Sequence, residues 1–145
     1  MNSTIIRIAI RRLYEFGVRE ICFCAGGRNA PILEELKRQS EIKIYPFFEE
    51  RSAGFFALGR MKATSRPVAV CTTSGTAVAE LLPSVIEADY SGLSLVILSG
   101  DRPKSYRGSG APQTIEQNRI FEPYVEKSWD LTADDSLEAL PRTLR

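Results

Sequence analysis

Apolar positions along the chain switch between a helical and an extended period, and each switch marks an element. In "TIIRIAIRRLYEFG", Ile6, Ile10, Leu13 and Phe16 recur at helical spacing, with Thr4 placed to cap the helix and Gly17 to stop it. "EICFCA" is a continuous apolar run closed by Gly26 and Gly27, as expected of a buried strand. "NAPILEELKRQS" predicts a second helix with Asn29 as N-cap and Pro31 in its first turn. "IKIYPFF" predicts a second strand, which Pro46 ends or confines to a sheet edge. Residues 50–64 form a helix that is apolar almost all round and so packed deeply. "PVAVCTT" is a third strand and "SGTAVAELLPSVIEAD" a helix bent at Pro83, which removes the bond to Ala79. "LSLVILS" is a fourth strand, apolar throughout and expected to be covered on both faces.

Beyond it lies a polar Gly- and Pro-rich loop over residues 100–114, then a helical piece around Ile115–Phe121, a strand at Tyr124–Trp129 and a capped helix start in "TADDSLEALPRTLR". Strand and helix alternate, so the expected class is α/β: one domain over residues 1–145, a three-layer parallel sheet with helices on both faces. Strands at 20–24, 42–47, 67–72 and 93–99 should lie in the order 2-1-3-4.

Composition changes this picture mainly by exclusion. A net charge of +1 carries no footprint for nucleic acid or an anionic membrane. No apolar run approaches the about 18 residues of a membrane span, and the first residues lack a signal-peptide core, so the cytoplasm is the expected location. The chain has 3 cysteines and no histidine. Catalysis by histidine and histidine-ligated zinc are therefore excluded for this chain alone, and the cysteines read as small buried hydrophobes of a reducing compartment.

Candidate chemistry collects after the strands, where open parallel sheets bind ligands. The loops are "AGGRNAP", "EERSAG", "TTSGTAV" and "GDRPKSYRGSGAPQT". None is a P-loop or a G-x-G-x-x-G dinucleotide fingerprint. Arg28 and Arg102 share this rim, and an arginine fork suits carboxylates. The segment "YPFFEERSAGFFALG" sets Glu49, Glu50 and Arg51 between two phenylalanine pairs. Acidic residues at a helix start are favoured by the helix dipole; a carboxylate held in a dry cleft for chemistry is the other reading.

Taken together, "GGRNAP", "FFEERSAGFFALG", "PVAVCTTSGTAVAELLPSVIEA", "VILSGDRP" and "GAPQTIEQ" resemble the N-terminal pyrimidine-binding domain of thiamin-diphosphate enzymes. More narrowly, they are similar to the menaquinone-pathway synthases that join decarboxylated 2-oxoglutarate to isochorismate. The likeness runs from about Ile5 to about Trp129. It implies a thiamin-diphosphate-binding fold and a transferase in which Glu50 hydrogen-bonds N1′ of the cofactor's aminopyrimidine and promotes loss of the thiazolium C2 proton. Glu49 takes the place of an acidic neighbour. Ser74, Gly75 and Thr76 match the loop against the pyrimidine, and Arg28, Arg102 and Gln113 match substrate-facing positions. Gly27 stands where the family often has serine, which removes a hydroxyl donor.

The resemblance also implies magnesium, held with the diphosphate by a separate C-terminal domain, so no metal ligand is expected in this chain. A homodimer or homotetramer is implied as well. The chain is expected to be an N-terminal fragment that ends before the domain's last strand and does not turn over substrate alone. Two alternatives stay open on the residues: a pyrimidine-binding subunit of another thiamin-dependent 2-oxo acid decarboxylase, and a non-catalytic carboxylate-binding α/β module.

Overall fold

A computed structural model describes residues 3–38 and 41–131. Its elements are α1 (Ser3–Glu15), β1 (Glu20–Cys24), α2 (Ala30–Leu36), β2 (Lys43–Phe47), α3 (Glu50–Thr64), β3 (Val68–Thr72), α4 (Thr76–Ala79), α5 (Leu82–Tyr90) and β4 (Leu95–Ser99), followed by a 3₁₀ turn at Lys104–Tyr106. The strands pair in the order β2-β1-β3-β4, all parallel.

Side chains alternate across this sheet, and each face has its own core. Phe23, Ala69 and Cys71 point to one face, where Ile6, Ile10 and Leu13 of α1 and Ile32 and Leu36 of α2 cover them. Cys22, Cys24, Val68 and Val70 point to the other, where Ala53, Ala57, Leu58 and Met61 of α3 pack with Leu81 and with Ala88 of α5. Fully burying a leucine or isoleucine contributes about 1.5–3 kcal/mol, so two such layers hold the sheet between them. β1 and β3 are the central strands and are buried almost end to end. Pro46 lies within β2, opposite Phe23, and is tolerated because β2 is an edge of the described sheet.

Several expectations need correction. β4 is only half-buried rather than covered on both faces, because it too is an edge strand among the described residues. The predicted helix after β3 is not one bent rod. It breaks between Ala79 and Leu82, and Pro83 sits in the first turn of a new helix, where its missing N–H costs nothing. Thr4 is not a cap, since α1 is already helical at Ser3. Residues 115–121 form no helix, only turn from 118 onward, and 124–129 form no strand. The expected helix start at 132–145 lies outside the described residues.

The entry of β1 is tied to its neighbours by one acidic side chain. Arg60 of α3 donates from Nε and a terminal nitrogen to both oxygens of Glu20, at 2.8 and 2.6 Å, and Tyr45 of β2 donates its hydroxyl at 3.4 Å. The Arg60 guanidinium holds the Glu20 carboxyl below the usual glutamate range. A folded-state value below the unfolded one adds stability that is present above the unfolded pKa and lost as pH falls through the folded one. Glu20→Gln should therefore lower the urea midpoint at about pH 7 and converge on the parent as pH falls below the folded-state pKa of Glu20. An undiminished gap in acid would show that the pair acts through packing alone.

Candidate functional site

Parallel pairing sends the carboxyl ends of all four strands to one rim, and the loops leaving them touch. Thr72, the last residue of β3, is fully buried. Its carbonyl accepts the Gly100 N–H at 3.0 Å, and its hydroxyl donates to Glu50 Oε1 at 3.2 Å. Gly100 in turn lies against the loop after β1, where an added Cβ would come within 2.8 Å of Arg28 Cβ. Three strand ends and the start of α3 thus meet around one threonine.

The two adjacent glutamates divide the work. Glu49 is the N-cap of α3 and accepts the backbone N–H groups of Arg51 at 3.0 Å and Ser52 at 2.7 Å; the Ser52 hydroxyl also donates to it. These bonds, the Ser52 hydroxyl first, hold the Glu49 carboxyl below its usual range. Glu50, one residue on, turns to the rim and meets Thr72. It is half-buried, and among the described residues its Oε2 has no partner. One acid supports the helix start, and the other presents a free oxygen beside the strand ends.

The loop after β3 is held by the loop after β4. Gly75 precedes α4 with φ +80°, a conformation open in practice to glycine, and an added Cβ would stand 2.7 Å from the Gln113 carbonyl. Ser74 is buried and donates its hydroxyl to that carbonyl at 3.2 Å. Gln117, which the sequence did not mark, bridges both loops: its Oε1 accepts the Gly75 N–H at 3.1 Å, while its Nε2 donates to Ser99 Oγ and the Gly100 carbonyl. Thr76 is exposed at the start of α4.

The arginines differ in their engagement. Arg28 is exposed, beside exposed Gly27, and makes no hydrogen bond or ion pair among the described residues. Arg102 donates Nε and a terminal nitrogen to the Pro112 carbonyl at 3.1 and 2.6 Å, next to Gln113, whose backbone takes φ +56°. Asn29 is the N-cap residue of α2, as expected, but its side chain makes no capping bond. It is fully buried and staples its own loop, accepting from Gly26 N at 2.9 Å and donating to the Cys24 carbonyl at 2.8 Å.

Among the described residues no group of three or more histidine, cysteine or acidic side chains could hold a metal ion, and no helix is long and apolar enough to cross a membrane. The rim instead offers one half-buried carboxylate, a glycine turn with close backbone approach, and two arginines. Gly75→Ala should lower stability by about 1–3 kcal/mol, through backbone strain and overlap with Gln113. Thermal unfolding, with amide exchange at 113–117, measures it; an unchanged midpoint would mean that the two loops are not in contact.

Comparison with known proteins gives the chain a family. A family model described as "Thiamine pyrophosphate enzyme, N-terminal TPP binding domain" matches residues 4–120. A 2-succinyl-5-enolpyruvyl-6-hydroxy-3-cyclohexene-1-carboxylate synthase from Bdellovibrio bacteriovorus is 56% identical over 135 residues, covering 93% of this chain and 26% of the relative. Synthases of the same name from Vibrio vulnificus and Halobacterium salinarum are 46% and 40% identical, over 97% and 99% of this chain and 25% of each relative. The chain spans about a quarter of the length of these curated relatives.

Proposed function

The chain belongs to the thiamine pyrophosphate enzyme N-terminal TPP binding domain family, and from that premise we propose that it is the pyrimidine-binding domain of a carboligating synthase. The reaction joins the four-carbon unit left by decarboxylation of 2-oxoglutarate to isochorismate, as in menaquinone biosynthesis. The names of the similar synthases support this choice over other thiamin-dependent decarboxylases, and a half-buried carboxylate beside the strand ends supports it over a simple carboxylate-binding module. As a protein made of this domain and others, it would work in the cytoplasm.

Glu50 carries the proposal. Its Thr72-bound oxygen fixes the carboxylate, and the other oxygen is left for a partner; that arrangement fits an acid that holds and exchanges a proton at N1′ of the aminopyrimidine. Ser74, Gly75 and Thr76 would lie along the pyrimidine, with Gly75 allowing close approach. Arg28, whose guanidinium is unengaged, would take a substrate carboxylate, and Arg102 and Gln113 would bound the same space with the Gly27 backbone. When bound, thiamin diphosphate supplies the electron sink that lets a 2-oxo acid lose carbon dioxide. Magnesium finds no ligand set among the described residues; it would be held with the diphosphate by residues outside this chain.

Replacing Glu50 with Gln in the full-length protein should leave the fold intact and slow C2 proton exchange of the bound cofactor ~100- to 10,000-fold. Glu49→Gln should cost less than about tenfold, since a charge at a helix start is worth about 0.3–1 kcal/mol. If Glu49→Gln stops exchange while Glu50→Gln does not, the roles are reversed; if neither matters, the thiamin assignment fails.

The same region supports association with a second copy of the chain. Phe48 is fully exposed next to the two glutamates, and Phe55 is about half exposed on α3. Phe56 leans on Tyr45 and Phe47 with ring centroids 5.0 and 5.1 Å away. A homodimer or homotetramer would cover these rings. Phe48→Ser with Phe55→Ser should shift the sedimenting species of the full-length protein toward monomer; an unchanged assembly would place the interface elsewhere.

A further inference from the structure

Residues 101–131 carry Arg102 and Gln113 but contain almost no regular structure, only the 3₁₀ turn at Lys104–Tyr106. The segment's backbone–backbone hydrogen bonds are local, each spanning three positions, so side chains join its distant parts. Arg107 is the side chain that spans it. One terminal nitrogen donates to Asp130 Oδ2 at 2.7 Å; the other donates to Asp130 Oδ1 at 2.7 Å and to Asp101 Oδ2 at 2.8 Å. The three side chains are only 18–23% exposed. Asp101 passes the constraint on, because its other oxygen accepts the Arg102 N–H at 2.7 Å. Lys104 and Asn118 also approach Asp130, at 3.9 and 3.4 Å.

We infer that Arg107 is a positioning residue for the substrate edge: its fork clamps Asp101 to Asp130, closes the segment into a ring, and so sets Arg102 and Gln113 in place. The inference rests on the proposal that those two residues face substrate.

Three features separate a clamp from a surface ion pair. The fork is bidentate on Asp130 and shared with Asp101, a geometry that lysine cannot reproduce. It is kept although Arg107 Nε is buried without an acceptor among the described residues. And the ring is tied inside at two further points, by Ser74 to the Gln113 carbonyl and by Gln117 to Gly75 and Gly100, while Phe121 packs on the α3 face of the sheet. Without the guanidinium the Asp101 and Asp130 carboxylates, both within reach of one nitrogen, would repel, and the ring would open at its neck.

The test uses Arg107→Met and Arg107→Lys in the full-length protein. For the methionine variant, amides in 102–117 should exchange at least about tenfold faster while those of β1 and β3 are unchanged. KM for the carboxylate substrates should rise about 10- to 100-fold with kcat within about threefold, and C2 proton exchange of the bound cofactor should keep the parent rate. Lysine should restore the charge but only part of KM and of loop protection. Should Arg107→Met not fold, Asp130→Asn is the milder break, and the same pattern at smaller size is expected. The clamp is overturned if loop protection and KM stay at parent values. A positioning role is overturned if kcat, C2 exchange and sheet protection fall together, as a general fold defect would make them. If the parent protein itself shows no carboligation, the functional proposal and the substrate half of this inference both fail, while amide exchange still decides the clamp.

Discussion

Parallel pairing is the constraint from which the rest follows. A strand that pairs in parallel cannot return by a tight hairpin, so each connection must cross a face of the sheet and each carboxyl end must open on the same rim. Four loops therefore compete for one small space, and their backbone polar groups need partners there. Thr72 meets that need at the centre: it gives its carbonyl to the loop after β4 and its hydroxyl to the acid that begins α3. A valine at this position would fill the same volume but leave Glu50 free to rotate into solvent.

The β1 and β3 strands were legible in sequence because "ICFC" and "VAVC" are apolar at every position, as a strand covered on two faces must be. Edge status was legible in the expected strand order and in Pro46, but the coverage of β4 was not, since "LSLVILS" reads the same whether its faces are closed or half open. Pro83 was ambiguous for a different reason. A proline is compatible with a kinked helix and with the first turn of a new one, and the choice depends on how α5 packs on α3. The segment after Gly100 defeats local reading altogether. Ile115 to Phe121 has helical spacing, yet Gln113 and Arg119 adopt positive φ and Gln117 spends its side chain on Gly75. Those bonds join residues about forty positions apart, and no local period reports them.

The candidate site divides in the same way. Sequence left Glu49 and Glu50 as neighbours with two available roles; only the helix start decides that Glu49 takes the cap. The family likeness pointed to Glu50, Arg28, Arg102 and Gln113 but not to what supports them. Thr72, Asn29 and Gln117 lie inside the matching segments with no role marked, and Arg107 lies outside them; their partners are known only once the chain is folded. Asn29 is the clearest case: it takes the cap position before "APIL", but its side chain bonds Gly26 and the Cys24 carbonyl and leaves the helix N–H groups.

The three cysteines lie within this arrangement as silent residues. Cys22, Cys24 and Cys71 are buried in β1 and β3, and burial pushes each thiol up to about 12. Native protein near neutral pH thus holds almost no thiolate, and disulfide reagents and alkylating agents find neither access nor a nucleophile. Modification can proceed only through openings that part α3 or the α1–α2 layer from the central strands. The labelling rates of the three positions then become a built-in clock for breathing of the sheet, with Cys22 and Cys24 timing one face and Cys71 the other.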